Sequence, residues 1–174
     1  TPVRFTIPPP EKGAFLGAVP VISPDGLRLA FAARDSSGKS LLWVRPLASL
    51  IATPLTGTDQ ASFPFWSADS RFLGFFQNGK LKKIDAAGGP TQSIADAPEG
   101  RGGTWNSAGT IVFTPNYTGG LQQVSDAGGT PAYVTSLDTS RKEDSHRWAS
   151  FLPDGRHFIF LRRSTDDEKT SLFL

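Results

Sequence analysis

The 174-residue chain contains no cysteine and only two histidines, His146 and His157. The first absence excludes a disulfide framework and a thiolate metal site. The second leaves an ordinary zinc site without ligands unless carboxylates gather from distant segments. Charge of neither sign dominates, with 18 Lys and Arg against 16 Asp and Glu. Such a surface is mixed and lacks the concentrated basic face that binds phosphate backbones, so no nucleic-acid partner is expected. No apolar run is long enough to span a bilayer, so this segment should not insert into a membrane. An exported protein would carry its targeting segment outside these residues.

Motifs of catalysis are missing as well. There is no Gly-x-Ser-x-Gly elbow. Asp166-Asp167-Glu168 lacks the alternating spacing of a calcium loop and reads as a solvated hairpin tip. Gly100-Arg101-Gly102-Gly103 does not join a strand to a helix, so it is not a phosphate loop. Asn116-Tyr117-Thr118 matches a glycosylation sequon, a match common by chance. No catalytic residue, cofactor or metal is assigned.

What the chain does have is glycine, 18 residues, proline, 14 residues, and one pattern written four times. The copies are Ile22-Ser23-Pro24-Asp25-Gly26, Trp66-Ser67-Ala68-Asp69-Ser70, Trp105-Asn106-Ser107-Ala108-Gly109 and Phe151-Leu152-Pro153-Asp154-Gly155. They start 44, 39 and 46 residues apart, and a period of about 40–45 residues built from short strands is that of a β-propeller blade. Each turn is followed by an alternating apolar run, such as Leu27–Phe31 or Arg71–Phe75, and alternation by two implies one buried face per strand. Further hairpin turns, Asn78-Gly79 among them, lead to third strands at 41–44, 81–84, 121–124 and 172–174. Fourth strands at 52–56, 90–94 and 131–135 carry a proline at or near the start, which suits a sheet edge.

The expected fold is therefore all-β: a propeller of four-stranded antiparallel blades at about 19–58, 63–96, 103–138 and 149–174, the last without a fourth strand. Residues 3–7 alternate like a strand and could close that blade. The preferred reading is instead a module or fragment of a larger propeller, or one that assembles between chains through the incomplete blade. Trp66, Trp105 and Trp148 begin or flank inner strands, where blade packing should bury them. Lys80, Lys82 and Lys83 read as a solvated strand edge. His157 should mark the polar face of its strand. Glu143–Trp148 precedes the fourth expected inner strand, and Asp144, His146 and Arg147 within it are the candidate binding-face residues. Asp144, Ser145 and His146 invite a triad reading, but neighbours on an extended strand point in different directions.

The Ser-Pro-Asp-Gly copies resemble the WD40-like, TolB-type propeller repeat, from about residue 19 onward. Copies two and three depart from it at Ser67-Ala68-Asp69-Ser70 and Asn106-Ser107-Ala108-Gly109, where weaker turn support is expected. Arg4–Pro8, Gly102–Phe113 and Ser145–Phe158 resemble the propeller regions fused to bacterial serine/threonine protein kinases, although no kinase motif occurs here. That resemblance implies a sensor module in an extracytoplasmic location, binding a protein, peptide or small ligand. A propeller gating a prolyl oligopeptidase-like hydrolase, or a TolB-like periplasmic interaction protein, is the alternative.

Overall fold

The computed structural model describes residues 6–17 and 19–174. Its sixteen strands form four antiparallel sheets. Blade 1 holds β1 (Ala14–Phe15), β2 (Val21–Ile22), β3 (Arg28–Arg34), β4 (Ser40–Pro46) and β5 (Thr53–Leu55). Blade 2 holds β6 (Ser62–Trp66), β7 (Phe72–Gln77), β8 (Lys80–Asp85) and β9 (Gln92–Asp96). Blade 3 holds β10 (Gly103–Trp105), β11 (Thr110–Phe113), β12 (Gln122–Ser125) and β13 (Ala132–Tyr133). Blade 4 holds β14 (Glu143–Phe151), β15 (Phe158–Ser164) and β16 (Ser171–Phe173). β1 and β2 both pair with β3 and are two pieces of one inner strand, so blade 1 begins before Val19. The inner strands β2, β6, β10 and β14 neighbour one another in chain order.

The repeated turn is held by its own polar side chains. In copy two, Ser67 Oγ accepts from the Phe72 amide at 2.9 Å and donates to Asp69 Oδ1 at 2.6 Å. Asp69 Oδ1 then accepts from the Arg71 amide at 3.0 Å. Copy one repeats these contacts with Ser23, Asp25 and Arg28. In copy three, Asn106 Oδ1 alone accepts from the Ala108 and Thr110 amides, so the turn keeps full support without an aspartate. The last turn residue is left-handed in every copy, φ 72° at Gly26, 61° at Ser70, 80° at Gly109 and 66° at Gly155. Ser70 tolerates that strain and does what glycine could not: its Oγ accepts from the Asp25 amide of the neighbouring blade at 3.1 Å.

Packing corrects the expectation of one buried face per strand. In each of β3, β4 and β7 five successive residues are buried. A middle blade is covered on both sides, so alternation selects which neighbour a side chain meets. Trp66, Leu73, Phe75 and Ile84 pack on Ala30, Leu42, Val44 and Leu55 of blade 1. Phe65, Phe76, Leu81 and Ile94 pack on Trp105, Ile111, Phe113 and Val124 of blade 3. A Cβ on Gly74 would lie 2.3 Å from the Phe65 ring, so this position needs glycine for close approach. Val112 and Leu121 meet Ala149 and Phe160 of blade 4.

Three further expectations change. The inner strand of blade 4 starts at Glu143, six residues before Ala149. Irregular register between Glu143 and Ser145, and again between Arg147 and Ser150, hides it from a period-two reading. Trp148 sits in the second irregularity with φ 53° and is 54% exposed, whereas Trp66 and Trp105 are each 6% exposed. His157 lies ahead of β15, in the turn, with Nδ1 2.6 Å from Asp154 Oδ2. Of the possible closing strand at 3–7, residues 3–5 lie outside the described residues. Ile7 packs against the Phe31 and Trp43 face of blade 1. Among the described residues, β16 has β15 as its sole partner.

Candidate functional site

The inner strands converge on a central axis, and each end of that axis is lined differently. At the end bearing the repeated turns, a cavity of about 520 Å³ is bounded by Ile22, Trp66, Trp105, Phe151 and Pro153. The other end is bounded by the loops between blades and by the hairpins joining second to third strands. Blades 2, 3 and 4 share a local distortion there. The residue three before Trp66, Trp105 or Phe151 is left-handed: Phe63 with φ 49°, Gly102 with φ 91° and Trp148 with φ 53°. In blades 2 and 4 the ladder register shifts at this point. A bulge re-aims the side chains on either side of it, and here it turns Trp148 outward.

Three arginines gather beside this distortion. The Arg101 guanidinium carbon lies 3.6 Å from the Tyr117 ring centroid, and that of Arg147 lies 5.2 Å from it. Arg147 donates through Nε to Ser145 Oγ at 2.9 Å and through Nη2 to the Tyr117 carbonyl at 2.8 Å. Burial, then the charges of Arg163 and Arg101, pull its pKa below the usual arginine range. Arg163 pairs with Asp144. Glu99 Oε2 accepts from the Tyr117 amide at 2.9 Å.

The three candidate residues separate between the two faces of β14. Arg147 faces Tyr117, and Asp144 is tied to Arg163. His146 is 2% exposed on the face toward blade 3. Its Nδ1 is 2.8 Å from Thr135 Oγ1 and its Nε2 is 3.2 Å from Glu143 Oε2, with the ring against Phe160. Ser145 Oγ donates to Asp144 Oδ1 at 3.0 Å and makes no hydrogen bond with His146. The catalytic reading of this trio therefore has no nucleophile–base contact to rest on. Glu143, absent from the sequence candidates, is the buried hub on the face that His146 shares. Its Oε2 accepts from the Asp138 amide at 2.7 Å, and its Oε1 lies 2.9 Å from Arg162 Nε. Among the described residues no three of His, Asp and Glu gather so as to hold a metal ion.

Arg101 and Tyr117 were also absent from the candidates. Arg101 was visible only inside a glycine-rich stretch, and Tyr117 only inside a chance sequon. Neither signal points to the other, because their approach depends on the segment at Glu99 and Arg101 pairing with Pro115 and Thr114 in blade 3.

Among solved structures the chain is similar to a TolB-like protein of Agrobacterium tumefaciens, at 16% identity and a TM-score of 0.71 over 88% of this chain. It carries a TolB-like β-propeller fold. TolB of Acinetobacter baumannii matches with 13% identity and a TM-score of 0.68 over 88% of this chain. The β-propeller domain of the Trilobed protease of Pyrococcus furiosus, described as having an open velcro topology, matches over 89% at 20% identity with a TM-score of 0.58. This propeller chain spans 58%, 41% and 53% of those three proteins. No family model matches it, and no curated protein matches its sequence.

Proposed function

We propose that the chain is a non-enzymatic binding module that presents the loop end of its axis to a protein, peptide or small ligand. In the full protein it serves as the extracytoplasmic sensing region of a bacterial serine/threonine protein kinase. The observation that carries the binding role is the loop end itself. It exposes Tyr117 and Trp148 and sets Tyr117 beside the guanidinium groups of Arg101 and buried Arg147, on blades locked together by Trp66, Phe65 and Trp105. Rigid strands carrying an aromatic and charged rim are what a recognition surface needs. Support for the kinase attachment comes from Arg4–Pro8, Gly102–Phe113 and Ser145–Phe158, which resemble kinase-fused propellers.

The rest of the reading frame tests the sensor role. A kinase catalytic domain preceding this propeller, separated from it by a membrane-spanning helix, is the expected result. An α/β-hydrolase domain in the same chain would replace the sensor role with substrate gating. That second reading is favoured by one observation, the likeness to the propeller domain of the Pyrococcus furiosus protease.

A further inference from the structure

We infer that Arg101 and Arg147, stacked over Tyr117 at the loop end of the axis, form a binding site for a peptide carboxylate. The anion chemistry stands on the residues alone; that a peptide carries the carboxylate rests on the binding role proposed above.

The site has positive charge that the fold leaves unneutralised. Among the described residues no carboxylate lies within ion-pairing distance of Arg101 or Arg147; Arg163, by contrast, has Asp144. Asp144 and Glu99 are the carboxylates nearest in the network, and both are engaged, with Arg163 and the Tyr117 amide respectively. Counting Arg101, Arg147 and Arg163 against Asp144 and Glu99, the cluster keeps one net positive charge. Taking guanidinium groups out of water without a counter-charge is costly. Arg147 is 7% exposed, and Arg101 Nε is fully buried with no hydrogen-bond partner. Arg147 uses Nε and Nη2 on protein oxygens, while its Nη1 donates to none among the described residues. Unspent donors on two planar forks suit the two oxygens of a carboxylate.

The surroundings fit a peptide end. A cavity of about 330 Å³ adjoins Arg101 and Tyr117 and is lined on its far side by Ser62, Phe63, Phe76 and Gln77; Glu99 also lies on its wall, and Arg147 stands behind Tyr117 outside the lining. Its size is at the lower end of small-ligand pockets, about 300–1,000 Å³. Stacking on Tyr117 fixes the Arg101 fork before a ligand arrives, which lowers the ordering cost of binding.

The test is an NMR titration of the whole chain with three probes: N-acetyl-glycylglycine, its C-terminal amide, and the α-amide of N-acetyl-aspartate, whose one free carboxylate is that of the side chain. The expected result is saturable shifts at Tyr117 and Gly102 with at least one free acid and none with the amide. Binding by the first acid marks a C-terminal carboxylate as the ligand, and by the last an acidic side chain. Arg101→Gln should weaken binding about tenfold, the loss of one charge-assisted hydrogen bond, with Arg101→Lys falling between and Arg156→Gln, on the far turn, unchanged. Melting curves identify any variant that fails to fold, and Arg101→Gln, at a less buried position, is chosen over Arg147→Gln for that reason. Equal shifts with acid and amide, no shift with either acid, or unaltered binding by a folded Arg101→Gln chain would overturn the assignment. Failure here leaves the sensor role standing, since that role is read from the adjoining domains.

Discussion

Replacing Trp66 by alanine should be among the most destabilising single changes in the chain. The side chain is 6% exposed, wedged between blades 1 and 2 against Ala30, Leu42, Leu73 and Phe75. Its Nε1 donates to the Val21 carbonyl at 3.0 Å, and the Arg28 guanidinium lies 5.2 Å from its ring centroid. A buried tryptophan covers about 150–250 Å², worth about 4–6 kcal/mol at 25 cal/mol per Å². Partial collapse of the void brings such truncations to about 3–5 kcal/mol. In a domain of this size that lowers the melting temperature by about 6–20 °C. Trp66→Phe keeps most of the apolar contact, loses the bond to Val21, and should cost about 1–2 kcal/mol. Trp148→Ala is the internal control. It is exposed, and alanine inherits the same backbone strain, so its effect should stay within about 0.5 kcal/mol. Urea unfolding followed by circular dichroism measures all three. A loss under about 1 kcal/mol for Trp66→Ala, or an equal loss for Trp148→Ala, would refute the stacking of blades described here.

Gly74→Ala should cost about 1–3 kcal/mol by overpacking, because its Cβ would overlap the Phe65 ring; an unchanged urea midpoint would contradict that contact. The turn aspartates set an acid dependence. Hydrogen bonds from Ser23 and Ser67, as the largest causes, lower the pKa values of Asp25 and Asp69 below the ordinary carboxylate value of 3.8. Their contribution is complete above pH 3.8 and is lost as pH falls through their depressed folded values. Stability of the Asp25→Asn, Asp69→Asn double variant should therefore fall less steeply in acid than that of the wild type, as melting curves below pH 4 would show. Among the described residues β16 pairs on one side only, and Leu172 and Leu174 are exposed, 72% and 66%, beside the half-exposed Phe173. Burying three such residues is worth roughly 5 kcal/mol, so light scattering of the isolated chain should show association that Leu172→Lys abolishes. A strict monomer destabilised by deleting residues 1–8 would point instead to closure within one chain.

Much of the fold was legible because each blade repeats the same local chemistry. Ser23 and Ser67 bind their own turn, Asn106 reproduces that turn with one side chain, and the Trp66 and Trp105 positions follow from the repeat. The irregular inner strands were not legible. Nothing in Arg147-Trp148-Ala149 marks a left-handed residue, since tryptophan does not favour one, so Trp148 read as core. Nor does alternation reveal that a strand has two apolar neighbours, as β7 does between Leu42 of blade 1 and Phe113 of blade 3. The candidate site was legible by half. Arg147 lay in the right segment, but its partners come from Arg101 and Tyr117 on blade 3, and His146 beside it turns to the opposite face and serves packing.

The binding role turns on which end of the axis meets a partner. Benzoylphenylalanine placed at Trp148 samples the loop end, and the same group at Leu27, 65% exposed, samples the turn end. Irradiation in the source cells, followed by mass spectrometry of adducts, compares the two in one experiment. The account predicts a discrete adduct from position 148 and none from position 27. An adduct from position 27 alone, or from neither, would contradict it.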